Sequence, residues 1–156
     1  MPSKIIIQTL ESDRYFHIYN RGINGQKIFL DDGHYRYFLR LYNTYLRRYV
    51  YTLAYCLLPN HYHLFIKTKE SKSAKYYLTV SNQFRKLFIC NTQYFNLHEN
   101  RIGNLCYRHF RRKIINKDNY FQNMLYYVHA NPQKHGIIKD FTLYPYSSYQ
   151  QMFCER

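Results

Sequence analysis

Stretches rich in β-branched, aromatic and aliphatic residues, bounded by turn-forming residues, predict four β-strands along the chain. They cover residues 15–19, 50–58, 61–69 and 105–115. Only Pro59 and Asn60 separate the second strand from the third, and so short a connection predicts an antiparallel hairpin. Turn residues at positions 20–25 end the first strand.

Apolar residues recur at helical spacing in three other segments. Asp31 and Asp32 can cap a first helix, and its apolar stripe consists of Tyr35, Phe38, Leu39, Tyr42, Tyr45, Leu46 and Tyr49. A second helix is predicted from residue 71 to about residue 91, with Tyr77, Val80, Ser81, Phe84, Leu87 and Phe88 facing inward. Asp118 can cap a third helix over residues 119–130. Asn131-Pro132 closes that helix, because the residue before a proline resists the helical conformation.

The resulting order is strand, helix, strand, strand, helix, strand, helix. The first six elements match the ferredoxin-like βαββαβ arrangement, an α+β fold with an antiparallel sheet, and the third helix is an addition at the C-terminal side. Residues 91–104 are predicted to form a polar loop and residues 137–149 an irregular tail. With no repeat or linker in the sequence, we expect a single domain over residues 1–156.

The charge balance narrows the range of partners. The chain has 23 Lys and Arg against 9 Asp and Glu, a formal net charge of +14, and its hydrophobic content of 46% excludes a disordered chain. Such an excess predicts a polyanionic partner, usually nucleic acid, and the interleaved aromatic residues are of the kind that unstacked bases bind to. The alternative is a basic protein whose charges are merely solvated. The basic residues expected to contact nucleic-acid phosphates are Arg21, Lys72, Lys75, Arg85, Lys86, Arg108, Arg111, Arg112 and Lys113.

The cysteines and the apolar runs indicate the cellular compartment of the protein. Cys56, Cys90, Cys106 and Cys154 are widely spaced and form no C-x-x-C pair, which is typical of free thiols in a reducing compartment. No apolar run has the form of a signal peptide or approaches the roughly 20 residues that a membrane span needs. We therefore expect a cytoplasmic protein without a membrane partner.

His61 and His63 are the first candidates for chemistry. Alternate residues of a strand point to the same side, and their Cβ atoms lie roughly 6–7 Å apart, so both imidazoles can reach one metal ion. The intervening Tyr62, with Leu64 and Ile66, then faces the core. His-x-His pairs also occur by chance in strands, so the spacing alone leaves a purely structural role open.

The third helix offers a nucleophile. Tyr127 and Asn131 are four residues apart and project from one face, while Phe121, Met124, Leu125 and Val128 form a neighbouring apolar stripe expected to pack on the sheet. A tyrosine hydroxyl beside a divalent metal can attack a phosphodiester. The alternative is that Tyr127 is only a packed helix residue, because the chain has 20 tyrosines and spacing alone singles out none of them.

Four motifs together carry a family resemblance. Residues 58–64 (Leu-Pro-Asn-His-Tyr-His-Leu) resemble the HUH motif of single-tyrosine transposases. Residues 127–136 (Tyr-Val-His-Ala-Asn-Pro-Gln-Lys-His-Gly) resemble the catalytic-helix signature of the branch called REP-associated tyrosine transposases. The turn at residues 19–22 and the tail at residues 144–149 are also similar to that branch. The likeness extends from about residue 15 to residue 149.

The resemblance implies a transposase that cleaves single-stranded DNA at hairpins and rejoins the strands through a 5′-phosphotyrosine link. It implies Tyr127 as the nucleophile, His61 and His63 as metal ligands, and Asn131 in the position of the third ligand. This donor set suits Mg²⁺ or Mn²⁺. Tyr62 departs from the plain apolar residue usual between the histidines. The family includes monomers and homodimers.

Two alternatives predict different behaviour. A non-catalytic nucleic-acid-binding module of ferredoxin-like fold would use aromatic residues on the sheet and bind without metal. It gives no role to His61, His63 or Tyr127. A domesticated transposase would still cleave DNA but serve the host.

Overall fold

The structure is a computed structural model that describes residues 7–116 and 118–153. It is built around one antiparallel sheet. Its strands are β1 (Tyr15–Arg21), β2 (Val50–Leu58), β3 (His61–Thr68) and β4 (Arg111–Ile115), in the order β2-β3-β1-β4. The helices are α1 (Asp32–Leu46), α2 (Tyr76–His98), α3 (Asp118–Lys134) and α4 (Tyr149–Phe153), with short 3-10 turns at Ile23–Gly25 and Phe141–Leu143. The predicted α+β class and βαββαβ order are confirmed.

One face of the sheet packs against α1 and α2. Side chains alternate across each strand, and Phe16, Ile18, Tyr62, Leu64 and Ile66 are all buried in this core. The inward orientation predicted for the residues of β3 is therefore confirmed. Their alternates, including His61 and His63, point to the other face.

The other face is covered by α3. Val128 is fully buried against Ala54, Cys56 and Phe65, and the partly buried residues packed around them include Phe121, Met124 and Leu125. The predicted packing of this apolar stripe on the sheet is confirmed. The helix lies over β2 and β3, which holds its polar positions beside the histidine pair.

Helix α1 begins as the sequence predicts. The Asp31 carboxylate accepts a hydrogen bond from the His34 backbone N–H at 3.0 Å and so satisfies one of the free donors of the first turn. Tyr35, Phe38 and Tyr42 are buried, as the stripe requires. The corresponding prediction for Asp118 concerns a side chain outside the described residues.

Helix α2 differs from its predicted bounds at both ends. It begins at Tyr76, so Lys72 and Lys75 precede it; the Ser71 and Ser73 hydroxyls bond nearby backbone N–H groups, a local alternative to the helix. It continues to His98 because the buried Asn91 and Phe95 extend its inner stripe at four-residue spacing. The predicted polar loop is therefore much shorter.

Strand β4 is shorter than predicted, because residues 105–110 are irregular. Strand β1 ends at Arg21, and beyond it this segment keeps only an isolated antiparallel bridge, between Gly22 and Cys106. Two backbone bonds remain there, from the Ile23 N–H to the Leu105 carbonyl at 3.1 Å and from the Tyr107 N–H to the Arg21 carbonyl at 3.3 Å. Side chains add two more: Asn20 Nδ2 donates to the Tyr107 carbonyl and Gln26 Nε2 to the Leu105 carbonyl, each at 2.9 Å.

Helix α3 continues through Asn131-Pro132, where the sequence predicts its end. Proline lacks an N–H and weakens one turn, but the His135 N–H still donates to the Asn131 carbonyl at 3.0 Å. The chain leaves the helix at Gly136, whose φ of 71° suits glycine. Asn131 is therefore a helical residue, one turn after Tyr127.

The predicted tail contains short helical turns and is tied to β2. Cys56 forms an isolated β-bridge with Ser147, and the Tyr144 hydroxyl donates to the Leu57 carbonyl at 2.7 Å. Cys56, Cys90 and Cys106 are free thiols, and Cys154 lies outside the described residues. In the described part of the chain, no helix is both long and apolar enough to cross a bilayer.

Candidate functional site

The His61 and His63 imidazoles lie side by side on the sheet face that α3 covers. Their ring centroids are 5.2 Å apart and their planes are nearly perpendicular, at 88°. His63 is 6% exposed, whereas His61 lies nearer the end of the strand and is half-buried. The two rings thus share the side of β3 that the sequence predicts.

Each of these histidines is held through its Nδ1 atom. His63 Nδ1 lies 2.9 Å from His17 Nε2, and His61 Nδ1 lies 2.6 Å from Asn60 Oδ1. A ring that donates its Nδ1 proton keeps the Nε2 lone pair for a metal, an arrangement usual around metal-binding histidines. With Nδ1 as the donor in both contacts, both Nε2 atoms are left for an ion.

The Asn131 amide lies beside the two rings, close enough to offset part of the lowering that burial causes in the pKa of His61 and of His63. The residue is 1% exposed, and its Nδ2 donates to the Tyr127 carbonyl at 2.9 Å, which fixes the orientation of the amide. Its Oδ1 is buried and, within the described residues, has no hydrogen-bond partner. An orphaned acceptor of this kind costs about 1–3 kcal/mol, and a hard cation would satisfy it.

The donor set therefore fits a divalent ion of the Mg²⁺ or Mn²⁺ type. Within residues 7–116 and 118–153, no group of three or more His, Cys, Asp or Glu side chains could hold a metal ion. The Asn131 oxygen is the third protein donor near the two imidazoles.

Burial keeps the site histidines neutral. It lowers the pKa of His63 to about 2, with additional contributions from the charges of His17, His61 and His135. Burial, followed by the charge of His135, lowers the pKa of His61 to about 4. Burial and then Lys113 lower the pKa of His17 to about 4. At neutral pH these rings carry free lone pairs.

Acidification should therefore destabilise the protein. These histidines resist protonation when folded, whereas in the unfolded chain they take up protons below about pH 6.5. The unfolded state binds more protons, so the free energy of unfolding falls as the pH drops from about 6.5 towards 4, by about 1 kcal/mol per pH unit for a residue such as His17.

Urea unfolding at pH 7.5, 6.0 and 5.0 would measure this effect. The change His109→Ala, at an exposed loop position, serves as a control and should leave the pH profile unaltered. A free energy of unfolding that is constant or rises between pH 6.5 and 5.0 would contradict the expectation.

Tyr127 borders the histidine cluster, whereas Tyr126 does not. The Tyr127 ring contacts His63 and His17 edge to face, with centroid distances of 5.5 and 5.9 Å, and remains 38% exposed. Lys134 Nζ lies 5.2 Å from the centroid of the Tyr127 ring. Tyr126 points outward, is 66% exposed and packs on Phe141.

A basic cleft adjoins the pair at its open end. It encloses about 520 Å³, and its lining includes Arg21, Lys27, Asn60, His61 and His135. The His135 ring lies 4.8 Å from that of His61, one turn after Asn131 along α3. Among these residues, only Arg21 and His61 were predicted as site residues; His135 stands in the quoted motif, but no chemistry was assigned to it.

The predicted basic cluster at residues 111–113 is divided between the two faces of the sheet, because side chains alternate along β4. Arg111 and Lys113 are exposed, and their register partners on β1 are Tyr19 and His17, which places them on the face of the histidines. Arg112 lies on the opposite face, where its guanidinium stacks 4.0 Å from the Phe110 centroid and its Nη1 donates to Ser81 Oγ at 3.0 Å. The other predicted contacts are exposed and lie outside β4: Arg21, Lys72, Lys75, Arg85, Lys86 and Arg108.

Comparison with known proteins gives one curated relative and a close structural match. No family model matches the chain. A Haemophilus influenzae protein named "Putative REP-associated tyrosine transposase" is 30% identical over 105 residues, which cover 64% of this chain and 59% of the relative. The match thus spans less than two thirds of that protein.

Among solved structures, a REP-associated tyrosine transposase bound to a REP hairpin has a TM-score of 0.68. The two chains are 16% identical, and the match covers 96% of this chain and 84% of the other. At this identity the match establishes the fold. The curated relative and the fold together confirm the resemblance that the sequence motifs predict.

Proposed function

The chain resembles the REP-associated tyrosine transposases, and we propose that it cleaves and rejoins single-stranded DNA at hairpin sites. The observation that carries the proposal is the convergence of His61, His63, the orphaned Asn131 oxygen and Tyr127 on one face of the sheet. The net charge of +14 is consistent with a nucleic-acid substrate.

The roles follow from the positions. His61, His63 and Asn131 would hold Mg²⁺ or Mn²⁺, which when bound supplies Lewis-acid polarisation of the scissile phosphate. The Tyr127 oxygen forms a bond to phosphorus and gives up its proton to solvent. The bond from phosphorus to the 3′ oxygen breaks, and that oxygen leaves as a 3′-hydroxyl after taking up a proton. The 5′ end of the strand remains on Tyr127, and attack by another 3′-hydroxyl releases it.

The surroundings favour a single-stranded substrate at this site. Tyr127 sits on the open side of the histidine cluster, where a displaced backbone can reach it. Arg21 and Lys27 in the cleft, with Arg111 and Lys113 beyond it, can contact the phosphates on either side of the scissile bond.

The direct test is incubation with labelled single strands that contain a hairpin flanked by randomised sequence, in Mn²⁺, followed by a denaturing gel. We expect a DNA-linked protein band together with a shortened strand. The double variant His61→Ala/His63→Ala should give neither product. Retention of the hairpin strands on native gels without cleavage under any divalent metal would favour the non-catalytic binding module instead.

DNA binding should depend strongly on salt, because phosphate contacts release counterions. With about six phosphates neutralised, affinity should fall roughly a thousandfold between 50 and 200 mM salt. The change Arg111→Ala/Lys113→Ala should reduce the slope of log affinity against log salt by about 1.8, or about 0.9 per lost contact on the hairpin duplex.

Fluorescence polarisation with a labelled hairpin in the absence of metal would measure these slopes. Arg47→Ala/Arg48→Ala, an exposed pair at the far end of α1, removes the same charge and should leave the slope nearly unchanged. Affinity independent of salt, or equal slopes in the two double variants, would contradict the assignment.

A further inference from the structure

A second cavity lies on the face of the sheet opposite the histidines. It encloses about 470 Å³ between α2 and the irregular segment at residues 105–110. Apolar side chains of Ile28, Phe38, Phe88 and Phe110 form much of its wall. The proposed cleavage site uses none of these residues.

Tyr62 lines this cavity, and its hydroxyl is a buried, unpaired polar group. The ring is held between Phe38 and Phe88, each at a centroid distance of 5.4 Å, and the residue is 1% exposed. Asn20 lies beside it, but its Nδ2 donates to the Tyr107 carbonyl and its Oδ1 accepts from the Arg21 N–H. By hydrogen-bond geometry the hydroxyl has no partner within the described residues, although Asn20 is close enough to offset part of the rise that burial causes in the pKa of Tyr62. Leaving it unpaired in the core is unfavourable.

Arg112 adds a second unpaired donor. Its Nε is buried and, in the part of the chain that the structure describes, has no partner. Stacking on Phe110 and the bond to Ser81 fix the guanidinium plane. No carboxylate of a described residue forms a salt bridge with it. A half-buried cation without a counter-charge, beside an apolar cavity, is typical of a binding site.

We propose that this cavity binds one unstacked guanine base of the DNA strand, an inference that rests on the proposed function. The Tyr62 hydroxyl and Arg112 Nε–H are two donors, and guanine presents two acceptors, O6 and N7, on one edge. The aromatic walls provide stacking surfaces. Adenine and thymine each offer one acceptor on that edge and would leave a donor unpaired.

The rim of this cavity carries basic residues that suit the DNA backbone on either side of such a base. Arg85 of α2 and Arg108 of the irregular segment line the same cavity and are exposed. They are positioned to contact the flanking phosphates while the base enters the pocket. The second site would thus hold a defined nucleotide on one face of the sheet while the strand is cleaved on the other.

The test compares three nine-nucleotide thymidine strands by fluorescence polarisation without metal. The central base is thymine, guanine or 7-deazaguanine, which lacks the N7 acceptor. Wild-type protein should bind the guanine strand about tenfold more tightly than the all-thymine strand, and 7-deazaguanine should lose most of that preference. Tyr62→Phe should abolish it. Tyr42→Phe is the matched control, because its buried hydroxyl bonds Thr52 outside the cavity, and it should keep the preference.

Thermal unfolding separates binding from folding. Tyr62→Phe removes an orphaned hydroxyl and should not lower the melting temperature, whereas Tyr42→Phe loses a hydrogen bond and should lower it. Arg112→Lys, which keeps the charge but removes Nε, decides the question if Tyr62→Phe is poorly folded. Equal affinity for the three strands, or an unchanged guanine preference in a folded variant, overturns the proposal. Cleavage is assayed separately, so either proposal can fail alone.

Discussion

Replacing His63 by alanine should abolish strand cleavage while leaving hairpin binding nearly intact. His63 is buried, its Nδ1 is held by His17, and its remaining nitrogen is one of the donors beside the Asn131 oxygen. Loss of an outer-shell partner alone typically lowers metal affinity 10–100-fold, so loss of a ligand should lower Mn²⁺ affinity by more than about 100-fold. Phosphate contacts lie elsewhere, on Arg111, Lys113 and the cleft.

Electron paramagnetic resonance of free Mn²⁺ would measure that affinity without relying on activity. His61→Ala should behave like His63→Ala. Asn131→Ala should have a smaller effect, because a water molecule can replace one amide oxygen. His109→Ala, at an exposed position, is the matched control. If His61→Ala and His63→Ala both cleave normally and bind Mn²⁺ like the wild-type protein, the ligands are misassigned.

The fold was largely predictable because its strands and helices are signalled locally. The hairpin of β2 and β3, the Asp31 cap and the stripe of α1 depend on neighbouring residues. The errors occur where tertiary contacts decide. Helix α2 continues through a polar sequence because Asn91 and Phe95 are buried. The first part of the predicted β4 is irregular because the regular pairing with β1 stops at Tyr19 and Arg111, and only an isolated bridge between Gly22 and Cys106 follows.

The sequence predicted those parts of the site in which two residues lie on the same strand or the same helix. His61 with His63 on a strand, and Tyr127 with Asn131 on a helix, follow from fixed periods. His17 could not be placed, because its contact with His63 depends on how β1 aligns with β3. The division of Arg111 and Lys113 from Arg112 was available from strand alternation, once β4 was placed.

The choice of nucleophile gives the largest effect of all: Tyr127→Phe should form no covalent protein–DNA adduct, whereas Tyr126→Phe should still form one. Adjacent residues differ by about 100° around a helix, so only one of the two can face the histidines. Tyr127 packs edge to face on His63 and His17, and its carbonyl orients Asn131. Tyr126 points away and packs on Phe141.

The two substitutions are matched, because each removes one hydroxyl from an exposed ring on the same helix and neither hydroxyl is buried. The phenol oxygen is the atom that bonds to phosphorus, and phenylalanine offers no substitute, so adduct formation should fall below detection rather than decrease gradually. Mass spectrometry of the digested adduct would locate the 5′-phosphoryl group. Hairpin binding by Tyr127→Phe should remain close to that of the wild-type protein, which excludes unfolding as the cause. A phosphoryl group found on Tyr126, or on any tyrosine other than Tyr127, would refute the assignment, since among the described side chains of α3 only the Tyr127 ring contacts His63 and His17.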